Sequence, residues 1–296
     1  MTPGGTNGVP EARGLLDGGM TRLGWCAIAT AVLAAGGAVA VVFGGVYDVS
    51  ATKEHVQPVY TVMETTMHAS VRRHAAGVAV PPLGDPAQVA KGAACFRDHC
   101  VLCHGAPGVP QGAAGQGMQP LPGPLVDGAR RWRPAELYWI TRHGIKMSGM
   151  PAWEFRFDEA ELWAVVAFLQ QLPSLDAAAY GRLQANAGDC ELDRPERRAP
   201  AHDRDPREQA LMVLRQHACT GCHEIPGAVD SGPQVGPPLA GFGRRSAFAG
   251  AVPVTRENLV RWIRSPQSLR PGTAMPDLGV SDEHAGQMAD YLLSLE

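Results

Sequence analysis

The longest run of apolar positions lies near the amino terminus. From Leu23 to Tyr47, 25 residues carry no charge; as a helix they reach about 37 Å, enough to cross a bilayer core of roughly 30 Å. The apolar residues run all round the stretch, without the one-sided spacing of a helix laid on a core, so it predicts a membrane span. Further along, Pro58 to about His74 predicts a second helix, with Val59, Val62, Met63, Thr66 and Met67 on one face, packing on the domain that follows. A helical stripe then recurs. Leu162, Val165, Val166 and Leu169 lie at i, i+3, i+4, i+7, and Ala285, Met288, Ala289 and Leu292 repeat that spacing. Asp158 with Glu161 forms a capping box before the first stripe, and Ser281 caps the second.

Each striped helix is preceded by an opening helix (Ala87–Asp98; Arg207–Gln216) and a middle helix (Pro134–His143; Thr255–Arg264), with Gly/Pro-rich loops between them. No stretch alternates as a strand. The expected fold is all-α: an N-terminal transmembrane helix followed by two tandem helical domains. The expected divisions are a disordered cytoplasmic tail (1–22), the anchor (23–47), a helical connector (48–84), domain one (85–180), a polar linker (181–206) and domain two (207–296). Arg13 and Arg22 before the span, with Asp48 after it, put the amino terminus inside. Ala38-Val39-Ala40 fits a signal-peptide cleavage pattern, but the apolar run continues through Val41, Val42, Phe43 and Val46, which favours a retained anchor. Either way the body of the chain is exported.

Composition narrows the function classes. A net charge of −3 with 6% aromatics offers no basic face for nucleic acid. Gly 35 and Pro 25 suit compact, loop-rich domains. Of seven cysteines, four fall into two matching patterns, Cys100-Val101-Leu102-Cys103-His104 and Cys219-Thr220-Gly221-Cys222-His223. This C-x-x-C-H spacing is the attachment pattern for c-type haem. Two thiols three positions apart sit on one backbone turn and can add to the two vinyl groups of one haem, and the next residue, histidine, faces the iron. Zinc would need four ligands, and neither motif has a second Cys/His pair at the usual spacing; a redox dithiol would not need the trailing histidine twice. Two small domains of this kind also need a staple such as a covalent cofactor.

The second axial ligand is expected after each middle helix. Domain one offers Met147 and Met150; domain two offers Met275. Met150 and Met275 both precede proline, 12 and 10 residues before the first apolar residue of the last helix, and this parallel selects Met150 over Met147. Met212 and Met288 read as core and Met118 as a loop methionine of lesser claim. His143 is a helix-end residue or a distal ligand. His99 and His217, just before the motifs, have no role beyond surface or propionate contact. Arg131, Trp132, Arg133, Tyr138 and Trp139 pack on a haem edge or serve ordinary core and surface roles. Cys95 and Cys190 remain in an oxidising compartment; a disulfide would tie the linker to domain one, but spacing alone does not establish their separation. Cys26 lies in the span and is inert.

The C-x-x-C-H motifs, the Met-Pro loops and the amphipathic terminal helices resemble the class I cytochrome c superfamily over residues 85–296. The resemblance implies two covalently bound haem c groups on Cys100, Cys103, Cys219 and Cys222. It implies His104 and His223 as proximal iron ligands, and Met150 and Met275 as distal ones. Gly105, Pro107 and Pro226 suit the loop beneath the haem. The stretch from Gly45-Val-Tyr-Asp to Val71-Arg-Arg-His74, with Ile145-Lys-Met-Ser-Gly-Met-Pro-Ala-Trp153, resembles membrane-bound proteobacterial cytochromes c encoded with respiratory oxidases or dehydrogenases. That implies a non-catalytic electron carrier on the bacterial inner membrane, haem domains in the periplasm, with a respiratory oxidase or dehydrogenase complex as redox partner. The alternatives are a cytochrome subunit of a periplasmic dehydrogenase and a dihaem peroxidase. A peroxidase needs an open site at one haem and an acid/base residue beside it, whereas both domains here offer a methionine at the same place.

Overall fold

The computed structural model describes residue 1 and residues 22–191, 205–229 and 235–296. The tail read as disordered, apart from its first and last residues, and linker residues 192–204 lie outside the described residues. The chain divides into two compact units, Met1–Arg198 and Ala199–Glu296.

In the first unit, α1 (Arg22–Phe43) has a mean hydropathy of 2.3 and no buried residue, so it is long and apolar enough to cross a membrane. It stops four residues before the expected end. Gly44 and Gly45 follow, the latter at φ +63, a left-handed conformation that glycine adopts without strain just past a helix end. Helix α2 (Gln57–Ala75) starts with Pro58 in its first turn, a position where the missing N–H costs nothing. Its expected packing face is corrected by the structure. Val62 and Met63 are exposed, while Val71 and Ala75 are buried. The helix meets domain one through its carboxyl half, where His68 stacks on Trp132 (4.3 Å between ring centroids) and His74 on Trp139 (5.5 Å). Its target is only ten residues long, so half of α2 runs past it.

Domain one is built on α3 (Pro86–His99), α4 (Val101–His104), α5 (Ala113–Gln116), α6 (Gly128–Arg131), α7 (Pro134–His143), α8 (Glu159–Gln171) and α9 (Ala177–Ala185). The expected capping box forms at α8: Asp158 accepts from the Glu161 N–H (2.8 Å) and Glu161 accepts from the Asp158 N–H (3.2 Å). Leu162, Val165, Val166 and Leu169 are all buried, as their spacing predicts. Helices α3 and α8 cross with backbones in contact at Gly92, where any Cβ would collide with the Ala164 carbonyl. Phe96 and Phe168 pack at the same crossing, 5.1 Å between centroids. Helix α9 runs past residue 180 into the expected linker. Tyr180 is buried, Gln184 donates to the Ala93 carbonyl (3.1 Å), and Cys190 is disulfide-bonded to Cys95 on α3. The packed structure therefore continues to Cys190.

The second unit contains α10 (Pro206–Gln216), a two-residue antiparallel pair β1 (Ala247–Phe248) and β2 (Val252–Pro253), α11 (Arg256–Arg264), α12 (Pro266–Leu269) and α13 (Asp282–Leu293). This tiny hairpin and an isolated antiparallel bridge between Ala106 and Val109 depart from an all-helical reading among the described residues. Asp205, Thr255 and Ser281 cap α10, α11 and α13 by accepting backbone N–H groups. Leu214, Ile225, Leu259 and Met288 fill the core.

Candidate haem sites

The first motif sits where α3 ends. The Cys100 N–H still donates to Phe96 (2.9 Å), and one further turn brings the Cys103 and His104 N–H groups onto the Cys100 carbonyl (3.1 and 2.9 Å). Both thiols and the imidazole thus share one turn. His104 Nδ1 bonds to the Gly123 carbonyl at 2.7 Å. A carbonyl only accepts, so Nδ1 carries the proton and Nε2 keeps its lone pair for a metal. Burial also pushes the His104 imidazole towards its neutral, ligating form. The Cys100 thiol is pushed up to about 12, by burial first and the neighbouring Cys103 second.

The second motif repeats this with different backbone. It follows Ala218 in the left-handed region (φ 54) and begins with a 3-10 turn at Cys219–Gly221. The His223 N–H donates to Cys219 (2.9 Å), and His223 Nδ1 donates to the Pro237 carbonyl (2.8 Å). Burial raises the Cys219 thiol to about 11. All four motif thiols are free while Cys95 and Cys190 are bonded to each other. Among the described residues, no three His, Cys, Asp or Glu side chains group as a metal site of their own. A free dithiol beside an imidazole with its Nε2 lone pair available fits covalent haem.

The two methionine loops lie later in each domain, one after α7 and one after α12. In domain one the Met150 carbonyl accepts from Ile145 (3.2 Å), and Ser148 Oγ accepts from the Met150 N–H (3.1 Å) while donating to the Ile145 carbonyl (2.7 Å). Met150 is half-buried; Met147, at φ 58, is 82% exposed. In domain two Met275 is half-buried, its N–H reaching Thr273 Oγ1 (3.4 Å), and Gln267 braces the loop by donating to the Thr273 carbonyl (2.8 Å) and accepting from Gly272 (2.9 Å).

The remaining candidates take structural places. His143 faces Glu154 (3.4 Å) and packs on Trp139. Tyr138 stacks on Trp163 (4.1 Å). His99 donates through Nε2 to the Cys190 carbonyl (2.6 Å) and so braces the disulfide segment. Met288 is core, as expected. Cys26 is exposed on α1. A feature the sequence did not signal is a hydrogen bond between His217 and the buried His284 on α13 (3.0 Å), 67 residues apart.

With this geometry in view, residues 87–169 match the family described as cytochrome c oxidase, cbb3-type, subunit III. Residues 212–296 match the family described as cytochrome c. Each match contains one C-x-x-C-H motif and one Met-Pro loop. The chain is similar to cytochrome c oxidase subunit 2 of Alkalihalophilus pseudofirmus, 38% identical over 89 residues covering 30% of this chain and 25% of that protein. Cytochrome c oxidase subunit 2 of Bacillus sp. (strain PS3) is 32% identical over 97 residues, 31% of this chain and 27% of that protein. The chain spans about a quarter of the length of these relatives. No solved structure matches it significantly. Residues 87–169 and 212–296 are therefore two cytochrome c-type domains in tandem, which imply haem c and electron transport, in a chain that resembles the cytochromes of respiration.

Proposed function

We propose that the chain binds two haem c groups covalently, one per domain, and relays electrons between a respiratory donor and a terminal oxidase while tethered to the inner membrane by α1. The observation that carries this reading is the repeated proximal geometry: His104 and His223 each donate Nδ1–H to a backbone carbonyl, at 2.7 and 2.8 Å, one position after a free thiol pair. Haem, when bound, supplies a one-electron iron couple. Cys100 with Cys103, and Cys219 with Cys222, are the thioether donors. His104 and His223 would hold the iron through Nε2, and Met150 and Met275 would hold it through sulfur. A neutral, soft thioether favours ferrous iron and raises the potential over a second histidine. A histidine and a methionine at each iron would leave a substrate no place there, which favours a carrier over an enzyme. The likeness to oxidase subunits supports a terminal oxidase complex as partner.

The purified chain is expected to exceed its polypeptide mass by two haems, with the haem resisting acid-acetone extraction. Met150→Ala and Met275→Ala should each remove one thioether-to-iron band at the red end of the visible spectrum and lower one of two midpoint potentials. Extractable haem would overturn covalent attachment. Both bands surviving Met150→Ala would move the domain-one ligand elsewhere, and rapid peroxide turnover by the half-reduced protein would replace the relay with a peroxidase.

A further inference from the structure

One thioether near the domain-one site has no counterpart in the paired Met-Pro loops. Met118 follows α5, with its N–H on the Gly115 carbonyl (3.2 Å). The start of α5 is fastened in turn to the first motif, through the Gly112 N–H on the Leu102 carbonyl (2.9 Å). Five residues after Met118, Gly123 accepts the His104 proton. Met118 therefore belongs to the proximal segment, yet its half-buried side chain reaches the loop that carries Met150. A Cβ built on Gly149 would lie 2.5 Å from Met118 Sδ, 3.2 Å from Cε and 3.6 Å from Cγ. Three side-chain atoms lie along the backbone one residue before Met150, in space left by a missing methyl. Within the loop, Ser148 and Ile145 hold Met150 relative to the end of α7; the Met118 contact holds the loop relative to the proximal segment. A flexible, polarisable side chain suits such a bridge between two backbones.

We propose that Met118 is a positioning residue that clamps the Met150 loop to the proximal segment of domain one and thereby sets how readily Met150 gives way to an outside ligand. The inference rests on the haem reading of this site. Domain two braces its loop through Gln267 on α12, just before the loop in the chain.

The test is imidazole titration of the ferric, haem-loaded full chain, read at the red-end thioether band, with Met118→Leu, Met118→Ala and Gly149→Ala. Met118→Leu keeps the bulk and is expected to keep both bands and both imidazole affinities. Met118→Ala removes the clamp and Gly149→Ala displaces it from the opposite side. Each is expected to retain two bands without imidazole and to bind imidazole about tenfold more tightly at one haem, the other unchanged. Unchanged affinity in both variants overturns the proposal. Loss of a band in Met118→Leu also overturns it, because Met118 would then be a ligand itself. A wild-type protein without a domain-one thioether band would instead sink the underlying haem reading.

Discussion

Domain one and domain two carry the same four side chains in the same order along the chain, two cysteines, a histidine and a methionine, yet they are held together differently. Domain one crosses α3 and α8 backbone to backbone at Gly92, ties α3 to the segment after α9 through Cys95–Cys190, and holds α2 by two His–Trp stacks, one on Trp139 of α7 and one on Trp132 just before it. Domain two has no cysteines beyond its motif pair. Its α10 and α13 bury Ala210, Ala285 and Ala289, and it adds the His217–His284 bond and the ion pairs Arg256–Asp290 and Arg264–Asp282, each 2.6 Å. These ion pairs are exposed and contribute little. The motif dictates the proximal turn because its chemistry needs neighbouring residues. The scaffold around that turn is free to vary.

The disulfide is the largest part of that difference. Closing a loop between residues 95 residues apart removes much of the freedom of the unfolded chain, and removing such a bridge costs about 2–5 kcal/mol. Cys190→Ser should therefore shift one of two guanidinium transitions, the one tracked by the domain-one thioether band, by that amount and leave the other in place. A shift shared equally by both transitions would break the comparison, because it would mean the domains unfold as one body.

This scaffold was also the part hardest to see in the sequence. The terminal helices were legible from apolar spacing, and their caps from Asp158, Glu161 and Ser281, because those signals are local. The motif cysteines and histidines were legible for the same reason, and the repeat drew attention to Met150 and Met275. Helix α9 was not, since Ala177–Ala185 carries only Tyr180 and Leu183 as large apolar residues and shows no stripe. The pairing of Cys95 with Cys190 depends on folding that brings their Cα atoms to 4.8 Å. The α2 face was misread because periodicity says which residues share a side and not how far the neighbour extends. The Met118–Gly149 contact joins two loops, and loops carry no periodicity.

The distal loops allow a finer cut. Gln267→Ala removes three hydrogen bonds to the loop, one accepted from the Gly272 N–H and two donated to the Thr273 and Met275 carbonyls. Each is exposed, so together they are worth about 1 kcal/mol, or about a fivefold change. Ferric domain two should bind imidazole tighter by that factor with domain one unchanged, the mirror of the Met118 variants. If Gln267→Ala altered domain one instead, the two loops would not be braced separately.

The smallest difference lies in the thiols before haem is attached. In the haem-free chain Cys100 is held up to about 12 and Cys219 to about 11, burial being the main cause in each. Only the thiolate attacks an alkylating reagent. At pH 9 both groups are mostly protonated, and one unit of difference leaves Cys100 with about a tenth of the thiolate of Cys219. A more basic thiolate is also more nucleophilic, with a Brønsted slope of about 0.4–0.5, which recovers about threefold. Cys100 is therefore expected to react with iodoacetamide about threefold more slowly than Cys219, and its deeper burial acts in the same direction. Both rates should rise about tenfold per pH unit, levelling near about 11 for Cys219 and about 12 for Cys100. Peptide mapping of the alkylated chain between pH 8 and 10 reads both sites at once, and guanidinium should abolish the difference. Equal rates in the folded chain would mean that the end of α3 does not bury its first motif thiol more deeply than the left-handed turn before Cys219 buries its own.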